Sequence, residues 1–172
     1  MPKRTRLFTG LGFGLVAGVA GTAAMTALQE GTAYARGNGG QSFKEPRTWA
    51  EAPAPARLAK KALGPRVVKR QARLVASAIH WGYGTALGAV YGAVQSRLCA
   101  HPLVHGTVFG TGLGLAYATL APLGIYEPWR YPAKELATDW SYHASYGFSV
   151  AGLRRQSSAP RKETAPRRAP FR

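Results

Sequence analysis

Two short echoes hold the residues of this chain that could do chemistry: His80-Trp81-Gly82-Tyr83-Gly84 and His143-Ala144-Ser145-Tyr146-Gly147. Positions i, i+3 and i+4 share one face of a helix, so His80 projects with Tyr83, and His143 with Tyr146. Asp139 precedes His143 by four residues, on that same face. An imidazole titrates near pH 6.5, at about the unperturbed value, and a neighbouring carboxylate raises it. Three chemistries fit such a layer. It can hydrogen-bond helices together, take up and release protons, or, as two imidazoles and a carboxylate, ligate Zn²⁺. The third needs ligand spacing that the chain lacks, with neither HExxH nor CxxC present. No metal site and no cofactor is expected. Soluble-type catalysis is not expected either: there is no paired-carboxylate site and no G-x-S-x-G, and Cys99 is the lone cysteine.

The elements that must position these residues are apolar. Charge is segregated: of 23 Lys and Arg, three lie in the first six residues, ten between Arg36 and Arg73, and seven from Arg154 onward. Residues 7–28, 74–96 and 102–123 contain no Asp, Glu, Lys or Arg. At about 1.5 Å rise per residue each matches a hydrocarbon core of about 30 Å. A fourth stretch, 136–153, carries only Asp139. An ionisable residue inside such a helix is expensive and reads as a functional-site hypothesis.

Glycine recurs on these stretches at every fourth position: Gly10, Gly14 and Gly18; Gly84, Gly88 and Gly92; Gly106, Gly110 and Gly114; then Gly147, followed by Ala151. In water so much glycine would ruin a helix. In lipid, small-xxx-small stripes let backbones approach closely. The fold expected is all-α, an integral membrane bundle of about four transmembrane helices packed by these stripes. Gly10-x-Gly12-x-Gly14 and Gly110-x-Gly112-x-Gly114 superficially match dinucleotide loops. Neither follows a strand, and the acidic residue about 20 positions on is missing.

The organisation expected is a basic N-terminus (1–6), a first span (7–28), a basic loop (29–73), a second span (74–97), a third (102–123), an aromatic and Pro-rich interfacial loop (124–135), a fourth span (136–153) and a disordered basic tail (154–172). Within the first loop 31–42 reads as flexible, and 56–73 as a basic amphipathic helix on the membrane surface, kinked near Gly64-Pro65. A solvated basic linker is the alternative for 56–73. The short connection 98–101 makes spans two and three an antiparallel hairpin. Ala33-Tyr34-Ala35 could end a signal peptide, but 7–28 exceeds the apolar length usual there, which favours a retained helix. The positive-inside count is a tie, eleven basic residues on the N-terminal side against twelve on the other.

The net charge of +16 points to an anionic partner. Its position at the ends of apolar stretches favours lipid headgroups. Phe171 alone interrupts the basic tail, which argues against nucleic acid. The stripes also fit a homo-oligomer or a membrane-protein partner. In the expected topology His80 and His143 lie about 9 and 10 Å into their helices, at similar depth. Thr22, Thr26 and Tyr117 should reach this layer, whereas His105 sits near the opposite surface.

Leu120-Ala121-Pro122-Leu123-Gly124, Pro128-Trp129, Glu135, His143 and Arg154-Arg155 together resemble the C-terminal half of YagU-like small bacterial inner-membrane proteins. Gly14-Leu15-Val16-Ala17-Gly18 resembles the start of that family. The resemblance implies a multi-pass inner-membrane protein without established biochemistry, and an association with acid resistance. Two functions are expected from residues and resemblance together. One is a structural or stress-related bundle. The alternative is a proton-linked transporter or permeation subunit using His80, Tyr83, Asp139, His143 and Tyr146.

Overall fold

The computed structural model describes residues 3–37, 46, 48–95 and 101–158, and these fold without strands. Five α-helices follow in order: α1 (Lys3–Ala35), α2 (Ala54–Leu63), α3 (Ala72–Gln95), α4 (Pro102–Ala118) and α5 (Ala133–Ser158). Short 3₁₀ turns link α2 to α3 and α4 to α5. The four long helices run alternately up and down. Helix α1 packs most extensively on α3, α4 on α5, and α1 on α5. The rings of Tyr91 and Phe109, with centroids 4.7 Å apart, close α4 against α3.

Glycine makes the closest seams. Along α1 and α3, Gly10 faces Gly92, Gly14 faces Gly88, and Gly18 faces Gly84. A Cβ on Gly14 would lie 2.8 Å from Ala89 Cα, and one on Gly10 would lie 2.7 Å from the Gly92 carbonyl oxygen. Side chains cannot occupy that space, so backbones meet there. The second seam sets Gly106 and Gly110 of α4 against Gly147 and Ala144 of α5. Gly114 differs, because its face meets the His143 ring at 3.8 Å, an ordinary contact. Gly12 and Gly112, off the stripes, face open space. Between the seams Ala17, Met25, Tyr91, Tyr146 and Val150 form the core.

Helix boundaries depart from the apolar stretches for local reasons. Helix α1 continues past residue 28 to Ala35, so 31–35 is helix rather than flexible loop. Its extension docks on α5: Tyr142 donates to Thr32 Oγ, whose own proton goes to the Leu28 and Gln29 carbonyls, and Arg36 donates to Thr138 Oγ at 3.0 Å. Helix α4 stops at Ala118, short of residue 123, because Pro122 offers no N–H and its ring would clash with the carbonyl four residues back. A 3₁₀ turn, Ala121–Leu123, ends on Gly124 at φ +63°, a left-handed conformation that suits glycine. Pro102 opens α4, where a missing N–H costs nothing, and His101 Nδ1 accepts from Leu103 N–H at 3.3 Å. Helix α5 starts at Ala133, after Pro132, and runs beyond 153 to Ser158. The tail from 159 on, residues 38–45 and the 96–100 connection lie outside the described residues.

The basic segment breaks rather than kinks. Helix α2 ends at Gly64, φ +62°, and Lys60 Nζ donates to the Gly64 and Val67 carbonyls at 3.1 and 3.4 Å. Its inner face is alanine: Ala56 and Ala59 are buried, Ala56 packing with Ala52, Ala72 and Ala76 beside Trp49. The helix therefore lies against the top of α3, while Leu63 and Val68 remain exposed.

Two segments, Phe8–Ala35 and Leu103–Leu123, are long and apolar enough to cross a membrane. Among the described residues the other helices do not reach that measure. Helices α3 and α5 carry His80, Asp139 and His143, with the tyrosines and serines around them, and these residues lower their mean hydropathy.

Candidate functional site

The polar residues meet at the end of the bundle where α1 finishes, α3 begins, α4 finishes and α5 begins. His80 and His143 line one cavity of about 370 Å³ together with Asp139, Thr26 and Tyr117. Helix α1 contributes Thr26, α3 His80, α4 Tyr117, and α5 Asp139 and His143, so all four long helices build the wall. His143 is 6% exposed. Tyr117 stands edge-on to its ring at 5.4 Å.

Hydrogen bonds fix both imidazole tautomers. Thr26 Oγ donates its single proton to the Thr22 carbonyl at 2.8 Å and can only accept from His80 Nε2, 3.3 Å away. His80 therefore carries its proton on Nε2, leaving Nδ1 basic. His143 Nδ1 lies 2.9 Å from the Asp139 backbone carbonyl, which also only accepts. His143 is thus protonated on Nδ1, leaving Nε2 basic. The Asp139 carboxylate stands 3.9 Å from His143 Nδ1, beyond a hydrogen bond. It accepts instead from the Tyr126 hydroxyl at 3.5 Å. The i, i+4 spacing does bring the carboxylate near the imidazole, and the hydrogen bond to the ring comes from the same residue's backbone carbonyl.

The two His-x-x-Tyr-Gly echoes reach different ends. Tyr146 is 2% exposed, and its hydroxyl donates across to the Gly84 carbonyl at 2.5 Å, joining α5 to α3. Tyr83 is 50% exposed. It lines a small void of about 30 Å³ below the histidines, with Thr22, Leu113 and Tyr146. Both Gly84 and Gly147 sit on seams. The repeat is thus one packing device, glycine one step after tyrosine, used on two faces.

Asp139 also borders a second cavity, about 280 Å³, lined by Arg36, Tyr126, Tyr131, Glu135 and Tyr142. Tyr126 stacks on Tyr131 at 5.5 Å. Burial first, then the Asp139 carboxylate, raises the Tyr126 hydroxyl above the usual tyrosine range. His105 is remote from this layer, with Nδ1 2.6 Å from the Tyr91 hydroxyl near the other end of the bundle. Among the described residues no three His, Cys, Asp or Glu converge as metal ligands.

Sequence reading missed Glu30, Arg73 and Trp81, which also line the histidine cavity. Glu30 was legible in principle, one turn beyond Thr26 on the same face of a helix that runs to Ala35. Arg73 enters because α3 starts at Ala72.

An antiparallel four-helix bundle with polar cavities gathered at one end is the class that the described residues define. No family model, curated protein or solved structure matches the chain.

Proposed function

We propose that the chain is a multi-pass protein of the bacterial inner membrane in which α1, α3, α4 and α5 all span, serving as a structural or stress-related bundle. The observation that carries this reading is the outer surface of the bundle: glycine and alanine line the seams while many large apolar side chains face out. Phe8, Val16, Leu74, Val108 and Leu115 are each 66–72% exposed. A core helix of a soluble protein is mostly buried, whereas only 33% of the apolar window in Phe8–Ala35 and 17% of that in Leu103–Leu123 are buried. Lipid is the solvent that suits such a surface. Exposed Leu63 and Val68 beside Lys61, Arg66 and Arg70 support contact of the α2 region with anionic headgroups. The YagU-like motifs imply the same location and suggest acid resistance.

Alkaline-carbonate extraction of expressing cells, with intact mass of the bound product, tests this. A carbonate-resistant, full-length chain is expected. A soluble chain would overturn the reading.

A second reading, proton-linked permeation, is favoured by one observation: two imidazoles with one basic nitrogen each share a cavity with carboxylates. Liposomes holding the protein should then show a pH-gated flux that His143→Ala abolishes.

A further inference from the structure

The histidine cavity has a chemical bias that neither helix packing nor proton exchange requires. Its wall sets four acceptor-bearing side chains, those of Glu30, His80, Asp139 and His143, beside the donors of Gln29, Arg73, Ser77 and Trp81. His80 Nδ1 and His143 Nε2 are left basic by the bonds that hold the other ring nitrogens. The carboxylates of Glu30 from α1 and Asp139 from α5 line the same space. Arg73 of α3 also borders it and is engaged within the protein. With both imidazoles neutral, the two carboxylates outweigh that one guanidinium. Trp81 and Tyr117 add aromatic rings, which attract cations by their quadrupoles. A volume of about 370 Å³ suits a small molecule rather than a bare ion.

We propose that this cavity is a binding site for a small organic ammonium ion, whose N–H groups donate to the two imidazoles and to Asp139 or Glu30. An anion would meet two carboxylates. A neutral apolar solute would leave the buried His143 and the partly buried carboxylates unpaired. The proposal names a solute class for the permeation reading and rests on the same cavity, but equilibrium binding tests it separately from transport.

Protonation reverses the chemistry. An imidazole that takes up a second proton presents two donors and a positive charge, so the cavity then rejects an ammonium ion. Besides Glu30, Arg73, Asp139 and the two histidines, Tyr117 of α4 is the titratable group facing this space, and a phenol stays neutral through this range.

Isothermal titration of the full chain in detergent, with n-butylammonium chloride as probe, decides the matter. At about pH 8, above the histidine range, saturable binding is expected. 1-Butanol, without charge, and tetramethylammonium, without N–H, should bind about tenfold more weakly or worse, as loss of a charged hydrogen bond implies. Affinity should fall about tenfold or more as the pH is lowered to about 5.5, since any added proton brings positive charge into the cavity. Asp139→Asn and Glu30→Gln, checked for helicity by circular dichroism, should each weaken binding. If Asp139→Asn does not fold, Glu30→Gln and the pH comparison still decide. Absence of saturable n-butylammonium binding at about pH 8 by the folded chain overturns the proposal, as does equal binding of 1-butanol. Affinity indifferent to both pH and the folded carboxylate variants overturns it too. Proton flux without ammonium binding would overturn this inference while leaving permeation intact.

Discussion

At the scale of single residues, the division of labour between the two echoes follows from which face of its helix each tyrosine occupies. Tyr146 reaches across the bundle to the Gly84 carbonyl. That carbonyl belongs to a helix and keeps its own ladder partner, so the phenol adds a bond between elements without replacing one. Tyr146→Phe should therefore lower stability by about 1 kcal/mol, typical of one intramolecular hydrogen bond, read as a shift in the thermal unfolding midpoint in detergent. Tyr83→Phe, on a half-exposed ring, should leave that midpoint unchanged. Equal effects from the two variants would refute the asymmetry.

At the scale of the elements, the glycine seams carry the prediction. A Cβ on Gly14 meets Ala89 Cα at 2.8 Å and Gly88 C at 3.0 Å, both backbone atoms that cannot rotate away. Gly14→Val should separate α1 from α3 and cost about 1–3 kcal/mol or more. Gly12→Val, two residues away with nothing within 4 Å, is the control and should be tolerated. Gly12→Ala should raise helix stability by as much as about 1 kcal/mol. Thermal melts of the three variants in one detergent distinguish a specific seam from a general need for flexible helices. The second seam behaves differently at its upper end, where Gly114 leaves room for the His143 ring. A bulky residue there should displace the imidazole and disturb the cavity while sparing the contacts of Gly106 and Gly110.

At the scale of the whole molecule, the alternation of four helices brings the ends of α1 and α4 beside the starts of α3 and α5. His80, Asp139 and His143 therefore gather at that end, while Tyr91, Phe109 and Val150 fill the bundle toward the Tyr91–His105 hydrogen bond. With His80→Ala and His143→Ala, a purely structural layer predicts a lowered melting temperature with no pH-specific effect. A proton-linked layer predicts the loss of a response confined to about pH 5–8, the range in which histidine changes charge. Melting curves recorded across that range separate the two.

All-α character was legible from the chain alone, because glycine, alanine and leucine repeat at helical spacing over long charge-free stretches and strand patterns are missing. The stripe positions were legible too, since period four selects one face of a helix: Gly10, Gly14 and Gly18 meet the seam, whereas Gly12 does not. The convergence of His80 and His143 followed from alternating helices and equal depth. Other features needed the tertiary structure. Helix α1 runs on through Gly31 because α5 supplies Thr138 and Tyr142 to hold it, and that extension brings Glu30 to the cavity. The choice of Asp139's backbone over its carboxylate as partner of His143 depends on ring orientation and on competition from Tyr126, neither of which residue spacing encodes. Spacing determines which residues share a face. What that face meets, and which atom satisfies which, is decided only when the helices pack.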